Sequence, residues 1–497
     1  MARCERGAVA RDTVKDTAAA PAKFRRGSAN IKERTLKISF HGADRGVTGS
    51  CHLIECAGKR ILVDCGLYQG SGELDEENAE PFGFDAASIN YVLLTHAHLD
   101  HCGRLPLLAK RGFRGEIITT SASRELARLV MLDAAHLLED NVRQRAGRIG
   151  HERASRDTKE PLYSILDAMN CLDYFGRTAA YSQVLEVAAG VHTTFIDAGH
   201  ILGSASILVE LEEQGHSTGV LFSGDLGNTG RLLLRSPATP PHADNVVMET
   251  TYGDRLHKPL GPSIDELFGA ITETFKRGGN VIIPTFALER AQELLFFLKQ
   301  GVTQGRLSNS MQVYLDSPMA ISATEIFRRH LECLEPATAK LFQEGQDPFN
   351  LPGLHFARET AESAAINSVH GGAVIMAGSG MCTGGRVCHH LLHNLGRADS
   401  SVVFVGYAAV GTLARRIIDG AKQVTIFGEN IPVRARIYTI NGFSAHTDEA
   451  ELLTWQEQTG AKRTFLVHGE DDIMRQFAAH LHDTDVEMPL PNQSFEL

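Results

Sequence analysis

The stretch YVLLTHAHLDH, residues 91–101, joins an apolar run to four side chains of the kind that bind metal ions. The first five residues have the length of a buried strand. His96 and His98 follow at alternate positions, and alternate side chains of an extended segment point the same way, so both can reach one ion. Asp100 and His101 lie one step further along, where a second ion can bind. The stretch therefore predicts a metal-binding loop at the end of a strand.

Further ligand-type residues stand at the ends of other predicted strands, where loops gather side chains over a rigid sheet. They are His200 after residues 193–197, Asp225 after 220–223, His468 after 464–467, and Asp64 at the end of 60–64. An aspartate such as Asp225, after a strand and a glycine, is often only a turn residue. Alternatively, Asp225 bridges two cations and supplies the negative charge that they need. Each ion would then have about four ligands, as zinc prefers. Asp64 could hydrogen-bond a metal-binding side chain without binding the metal itself.

The bulk composition narrows the class of protein. The chain has 497 residues, 9 cysteines and a net charge of −11. An odd number of cysteines without a C-x-x-C pair argues against a disulfide framework or a zinc ribbon, and free thiols suit a reducing cytoplasm. Neither an apolar run of membrane-spanning length nor a signal-peptide core is present, so we expect a cytoplasmic protein. The negative charge argues against nonspecific coating of nucleic acid, but it leaves room for a local basic groove.

The order of the predicted elements divides the chain. Residues 1–35 form a basic, polar leader. Short strands joined by glycine turns follow from Leu36, and a helix is predicted over 121–148. Between about 255 and 425, helices and buried strands alternate, which is typical of a parallel α/β unit. Short strands resume after Phe427.

Several motifs resemble those of the metallo-β-lactamase superfamily, and in particular its β-CASP nuclease branch. The ligand-type residues from His96 to Asp225 match the core motif order of the superfamily. The stretches METTYG (248–253), GFSAHTD (442–448) and VHGE (467–470) resemble three motifs special to the branch. RNA-acting members carry histidine at the third of these, where DNA-repair members usually carry valine, so His468 favours RNA. The resemblance runs from about residue 36 to the C-terminus and is greatest to compact prokaryotic relatives of the mRNA 3′-end cleavage endonuclease.

The resemblance implies an α/β fold in two parts. A four-layer αββα metallo-β-lactamase sandwich would comprise residues 36–248 and 429–497. A β-CASP domain, also α/β, would be inserted as residues 249–428 and would cover the site. Two Zn²⁺ ions are implied. The ligands of one would be His96, His98, His200 and Asp225, and those of the other Asp100, His101, Asp225 and His468.

The activity implied is hydrolysis of phosphodiester bonds in single-stranded RNA, with a water or hydroxide between the ions as the nucleophile. Asp100 and Asp225 belong to this catalytic set. His446 would contact the scissile phosphate or protonate the leaving oxygen, oriented by Glu249. The structural alternatives are a strand-end surface acid for Glu249 and a loop-capping histidine for His446.

A glycine-rich stretch is the candidate substrate contact. Exposed N–H groups and an arginine suit phosphate, so the stretch 379–386 could cradle the RNA backbone. The residues concerned are Ser379, Gly380, Thr383, Gly384 and Arg386. The alternative is a helix N-terminus that only caps itself. Histidines 389, 390 and 393 are interpreted mostly as a helix face.

One stretch departs from the family pattern. Leu288-Glu289-Arg290 stands where a small residue followed by arginine is expected, which puts a detail of the substrate groove in doubt.

Two other classes of function stay open. A small-molecule metallohydrolase of the same superfamily would hydrolyse a thioester or a β-lactam, and a non-catalytic RNA-binding scaffold would lack metal. DNA cleavage is a weaker alternative. The sequence leaves endonuclease or 5′-exonuclease action open, as well as whether the basic leader is disordered or touches RNA. A homodimer is expected by analogy only.

Overall fold

Two seven-stranded sheets face each other across a shared apolar core in the computed structural model, which describes residues 36–70, 76–149, 160–406, 408–409 and 411–497. The first sheet consists of β1 (Lys37–Phe40), β2 (His52–Cys56), β3 (Lys59–Val63), β4 (Tyr91–Leu93), β5 (Glu116–Thr120), β6 (Phe175–Ala179) and β22 (Ser494–Glu496), in the order β22-β1-β2-β3-β4-β5-β6. The second consists of β7 (Val184–Ala188), β8 (Val191–Asp197), β9 (Ala205–Glu213), β10 (His216–Phe222), β11 (Asn245–Glu249), β20 (Arg463–Val467) and β21 (Asp485–Glu487), in the order β21-β20-β11-β10-β9-β8-β7.

A third, six-stranded sheet lies between these parts of the sequence. Its strands are β12 (Val281–Pro284), β13 (Gln312–Asp316), β14 (Leu354–Phe356), β15 (Ala373–Ala377), β16 (Ser401–Val405) and β19 (Arg436–Ile440), in the order β14-β13-β15-β12-β16-β19. Every neighbouring pair in it is parallel. The remaining described strands, β17 (Gln423–Ile426) and β18 (Glu429–Pro432), form an antiparallel hairpin.

Helices cover the sheets and complete the layers. Those described are α1 (Leu99–Cys102), α2 (Leu105–Lys110), α3 (Ser121–Ile149), α4 (Ile165–Cys171), α5 (Leu260–Lys276), α6 (Arg290–Thr303), α7 (Pro318–Phe327), α8 (Pro336–Gln343), α9 (Thr360–Ile366), α10 (Arg386–Asn394), α11 (Leu413–Ile418), α12 (Glu449–Thr459) and α13 (Asp471–Ala478).

Alternation along the strands explains the layering. In β9, Ile207 and Val209 point into the core between the two sheets, while Leu208 points to the opposite face. That face is covered by α12 and α13, through residues such as Trp455 and Phe477. Because side chains of a strand alternate between the two faces of a sheet, a strand buried on both faces is apolar almost throughout. The predicted αββα sandwich with an inserted α/β domain is therefore confirmed.

The inserted sheet includes a strand that lies after the predicted end of the inserted domain. β19 pairs with β16 at residues 436–440, beyond residue 428 where the sequence placed the end of the insertion. A return connection is expected here, because the chain must cross from the inserted sheet back to β20 of the sandwich. The domain boundaries themselves stay a prediction.

The basic leader, residues 1–35, lies outside the described residues, so both interpretations of it stay predictions. Of the helices that the structure describes, none has the length and apolar character needed to cross a membrane.

Candidate metal centre

The candidate ligands lie on loops at the C-terminal ends of β4, β8, β10 and β20. β4 ends at Leu93, and the chain then turns so that α1 carries Asp100 and His101. This turn packs tightly on Gly66, where a Cβ would lie 1.5 Å from the carbonyl oxygen of Asp100. A residue with a side chain at position 66 would push the ligand loop away.

The first group of ligand atoms has the spacing of a tetrahedral site. His98 Nδ1 lies 3.2 Å from His96 Nε2 and 3.1 Å from His200 Nε2. Asp225 Oδ2 lies 3.4 Å from His96 Nε2 and 3.6 Å from His200 Nε2. Four ligands placed tetrahedrally at about 2.0–2.1 Å from one zinc ion would be separated by about 3.3 Å. The donor set and its spacing therefore fit a metal ion.

A second group shares Asp225. Its Oδ1 lies 3.3 Å from His101 Nε2, and His468 Nε2 lies 3.5 Å from Asp100 Oδ2. Asp225 Oδ1, His101 Nε2 and His468 Nε2 are all buried without a hydrogen-bond partner. Each such atom costs about 1–3 kcal/mol when it is left unpaired. Ligand atoms of Asp100, His101 and His468 lie within 4.8 Å of one another, so one cation held by them would satisfy the two nitrogens, with Asp225 Oδ1 beside His101.

The charge states of His96, His98 and Asp225 suit metal binding. Burial, together with the neighbouring His101, lowers the pKa of His96 to about 3. Burial also lowers the pKa of His98, to about 4. Both imidazoles are therefore neutral, which is the form that ligates metals. Burial raises the pKa of Asp225, but the surrounding histidines outweigh it and hold the pKa well below its usual range.

Asp64 contacts the second group through the ring nitrogen of His101 that faces away from the site. Its Oδ2 lies 2.7 Å from His101 Nδ1, and it accepts hydrogen bonds from the backbone N–H and the hydroxyl of Thr95 at 2.8 and 2.7 Å. Asp64 itself adopts a left-handed backbone conformation with φ of 61°. A carboxylate at Nδ1 fixes the tautomer of His101 and directs Nε2 towards the site.

Glu249 and His446 form a pair beside the first group. His446 Nδ1 lies 3.2 Å from both carboxylate oxygens of Glu249 and 4.0 Å from Asp225 Oδ2. Burial lowers the pKa of His446, but the Glu249 carboxylate and, further away, Asp225 and Asp100 raise it to about 9. Glu249 is buried and also accepts the backbone N–H of Leu226 at 2.6 Å, so it is not a surface acid.

Sequence reasoning missed the residues that hold the His446 loop. Asn228 donates to the carbonyls of Ser444 and His446 at 2.8 and 2.6 Å. Arg231 donates to the Ser444 carbonyl as well, and His257 Nε2 lies 3.0 Å from the His446 carbonyl. No sequence signal marks these residues, because they contact only the backbone of a loop that is distant in sequence.

Thr251 was also missed as a site residue, although it lies within the METTYG stretch. Its hydroxyl is 3.1 Å from His468 Nδ1, which leaves Nε2 of that histidine for the metal site. The position of this threonine two residues after Glu249 was the available signal.

The predicted substrate loop lies at the end of β15, in the inserted sheet, and not among the ligand atoms. Ser379 Oγ accepts the backbone N–H of Thr383 at 3.1 Å, and Gly385 is the N-cap of α10. Arg386 donates to Asp316 at 2.7 Å and to the carbonyls of Ala357 and Arg358 at 3.0 and 2.7 Å. These contacts favour a structural role for the arginine; phosphate contact by this loop stays a prediction.

The departure at Glu289 has a visible consequence. Glu289 is the N-cap of α6 with φ 63° and ψ −61°, a conformation that glycine adopts far more readily. Its carboxyl is buried, its Oε2 has no hydrogen-bond partner, and burial together with Glu293 raises its pKa well above the usual range. The small residue expected there from the family pattern would avoid this strain.

Comparison with known proteins identifies the family. Residues 44–283 match the metallo-beta-lactamase superfamily, 291–417 the Beta-Casp domain, and 430–491 the Zn-dependent metallo-hydrolase RNA specificity domain. The chain belongs to the Beta-Casp branch of the metallo-beta-lactamase superfamily, and it is a metal-dependent hydrolase of the nuclease class. The predicted family and enzyme class are thereby confirmed.

Individual relatives agree with this assignment. The chain is 39% identical over 437 residues to a protein named Ribonuclease TTHA0252 from Thermus thermophilus, covering 88% of this chain and 94% of that protein. It is 31% identical over 454 residues to Transcription termination factor FttA of Methanocaldococcus jannaschii, covering 89% and 68% of the two. A solved structure of a protein of unknown function from Enterococcus faecalis matches with a TM-score of 0.53 and 11% identity, over 93% of this chain and 100% of that one, and so shows the fold alone.

Proposed function

We propose that this protein is a ribonuclease that binds two zinc ions and hydrolyses phosphodiester bonds of single-stranded RNA. The observation that carries the proposal is the shared carboxylate of Asp225. Its two oxygens face two separate sets of ligand atoms, at 3.4 Å from His96 Nε2 and at 3.3 Å from His101 Nε2. A bridging carboxylate between two ligand sets is the arrangement expected of a two-metal site that acts on phosphate esters.

Bound zinc would supply an activated water and would neutralise charge on the phosphate. The protein's own residues would orient the substrate and move the proton. Glu249 accepts the Nδ1–H of His446, so His446 Nε2 is left to face the substrate. From there His446 would bind the scissile phosphate or give its proton to the leaving oxygen, while Asn228 and His257 hold its loop.

RNA as the substrate is supported by the family assignment and by the site itself. The RNA specificity domain, residues 430–491, supplies both His446 and His468. The relative from Thermus thermophilus is named a ribonuclease. Single-strandedness is supported by depth, because His96, His101 and Asp225 are at most 2% exposed. A phosphate within a flexible strand can enter such a recess, whereas a phosphate in a rigid duplex would be held outside it.

Cleavage of labelled RNA tests the proposal. The purified, zinc-analysed protein is incubated with 5′-labelled single-stranded RNA, with the matched duplex, and with single-stranded DNA of the same sequence. Internal fragments of single-stranded RNA support an endonuclease, and released mononucleotides support a 5′-exonuclease.

The control is the double variant Asp100→Ala, His101→Ala, prepared in parallel because contaminating ribonuclease is the main hazard. Equal cleavage by the variant and the wild type would contradict the proposal. If the wild type holds zinc and hydrolyses a thioester or a β-lactam but does not cleave RNA, the protein is a small-molecule hydrolase. The expected homodimer and the cytoplasmic location stay predictions.

A further inference from the structure

Phe286 is an exposed aromatic residue close to the end of a buried strand. The four residues of β12 are all buried, whereas Phe286, two positions after the strand, is 48% exposed. Its backbone is fixed, because Thr285 N–H donates to the carbonyl of Ala377 at 3.0 Å and so continues the pairing with β15. An exposed phenylalanine on a fixed backbone has a hydration cost that packing does not offset.

The ring lies flat on a glycine. A Cβ on Gly380 would lie 2.9, 3.0 and 3.1 Å from three neighbouring ring carbons of Phe286. Approach to the edge of a ring would give one short and two clearly longer distances, so these nearly equal values place Gly380 over the ring face. One face of Phe286 therefore lies against Gly380 of the 379–386 loop, so a base that stacks on the ring must use the other face.

The sheet topology places this ring near the catalytic histidine loop. β12 has β15 on one side, and on the other side β16, which pairs with β19. All these strands are parallel, so Phe286 and the loop carrying His446 leave the same edge of the sheet. β12 and β19 are two strand spacings apart, or about 10 Å. RNA that runs along this edge of the sheet from His446 would therefore pass the strand end that carries Phe286.

We propose that Phe286 is a base-stacking residue: its free face binds a nucleobase of the RNA close to the scissile phosphate, while the 379–386 loop supports the ring from below. The inference rests on the proposed ribonuclease function and adds a binding subsite to it. Every base has a π-face, so a single aromatic ring binds RNA with little regard to sequence. The subsite therefore gives affinity for unpaired RNA, because bases within a duplex already stack on each other.

Steady-state cleavage of single-stranded RNA by Phe286→Ala, Phe286→Trp and the wild type tests the subsite. We expect Phe286→Ala to raise KM roughly 5- to 150-fold, with kcat nearly unchanged, and Phe286→Trp to restore the wild-type KM. The matched control is Phe427→Ala, which removes another exposed phenylalanine, 60% exposed, from the turn of the β17–β18 hairpin. Its KM should stay that of the wild type.

An abasic substrate makes the test specific to stacking. RNA that lacks one base near the cleavage site should raise the wild-type KM by the same factor as Phe286→Ala, and the combination should raise it no further. Two outcomes would overturn the inference but not the proposed ribonuclease function. One is that the abasic site and Phe286→Ala raise KM additively at every position near the cleavage site, and the other is that Phe286→Ala has the KM of the wild type. A wild type that neither binds nor cleaves RNA would overturn both proposals.

Discussion

Two buried clusters of histidine and carboxylate in this molecule have similar composition. They differ in whether all their buried nitrogen and oxygen atoms have hydrogen-bond partners. In the metal centre, His101, His468 and Asp225 each keep a buried nitrogen or oxygen without a partner. In the inserted domain, His390 and Asp316 are just as deeply buried, yet neither has such an atom.

The second cluster satisfies itself. His390 Nε2 lies 2.7 Å from Asp316 Oδ2, and its Nδ1 lies 2.9 Å from Asn367 Oδ1. Ser363 donates to the same Asp316 oxygen at 2.6 Å, and Arg386 donates to the other at 2.7 Å. Nothing is left for a ligand, so this network ties β13, α9 and α10 together.

Unpaired buried atoms distinguish a cluster that binds a ligand from one that only stabilises the fold. A protein does not keep several unpaired polar atoms in its interior unless another group satisfies them. Composition alone does not separate the two clusters, because both contain histidine and aspartate at the ends of strands or on neighbouring helices. If this distinction holds, variants in the metal centre should affect zinc binding or cleavage, and variants in the second cluster should affect stability.

The His446→Ala variant should lose about 10²- to 10⁴-fold in kcat on RNA and keep its zinc content, because His446 contacts the metal ligands without belonging to either ligand group. Cleavage kinetics and elemental analysis of the same sample measure the two quantities. The control is His393→Ala, which removes an exposed histidine of α10 and should leave both unchanged. Unchanged kcat in His446→Ala would remove this residue from the mechanism.

The Asp316→Ala variant should lower the free energy of unfolding by about 3–5 kcal/mol, because it leaves Arg386 and His390 without their buried partner. Zinc content and kcat of the folded protein should stay close to those of the wild type. Denaturant unfolding checks the first expectation. Asp265→Ala, which breaks the exposed pair with Arg306, should change stability by less than about 1 kcal/mol. Loss of zinc from a folded Asp316→Ala protein would contradict the comparison.

The Asp64→Asn variant should weaken zinc affinity about 10- to 100-fold, because the amide no longer fixes the tautomer of His101 as strongly as the carboxylate does. Competition with a chelator of known affinity measures this loss. Wild-type affinity in the variant would mean that Thr95 alone orients the ligand loop.

The Glu289→Gly variant should be more stable than the wild type at neutral pH, by about 1–2 kcal/mol, because glycine tolerates this backbone conformation and removes a buried carboxyl. The raised pKa of Glu289 means that the folded protein disfavours the charged form. The wild type therefore loses stability as the pH rises above the usual carboxyl range, and the gain from the substitution should grow with it.

The Gln214→Gly variant separates the two causes. Gln214 has φ 54° at an exposed turn and carries no charge, so its replacement should give a smaller gain that does not depend on pH. A pH-independent gain in Glu289→Gly would assign the whole effect to the backbone.

Much of the fold was predictable, because its strands are apolar and several of them are followed by histidine or aspartate residues of the kind that bind metal ions. The strand of residues 91–95 and the ligands from His96 to His101 were predicted from spacing; in the structure β4 covers Tyr91–Leu93, and two residues separate its end from His96. The α/β character of the inserted domain followed from the alternation of buried strands and helices, and its insertion from the family resemblance. The sheet to which β19 belongs was not predictable, because β19 resembles the short strands of the sandwich and only its pairing with β16 shows its neighbour.

The site was less predictable than the fold. The ligand-type residues converge, and Glu249 lies against His446, but their roles stay predictions. The Arg386 contact with Asp316 and the support of His446 by Asn228 could not be predicted, because each joins residues that are distant in sequence without any local pattern. The exposure of Phe286 is a property of the fold and has no local sequence pattern.

The number of zinc ions in the purified protein decides whether Asp225 is shared between two metal sites. Native mass spectrometry would compare the wild type with Asp225→Ala, while circular dichroism confirms that both are folded. We predict about two zinc ions per chain in the wild type and loss of at least one in Asp225→Ala, since its carboxylate faces both ligand groups. A folded wild type that binds no zinc, or an Asp225→Ala protein that keeps two ions as tightly as the wild type, would contradict the account.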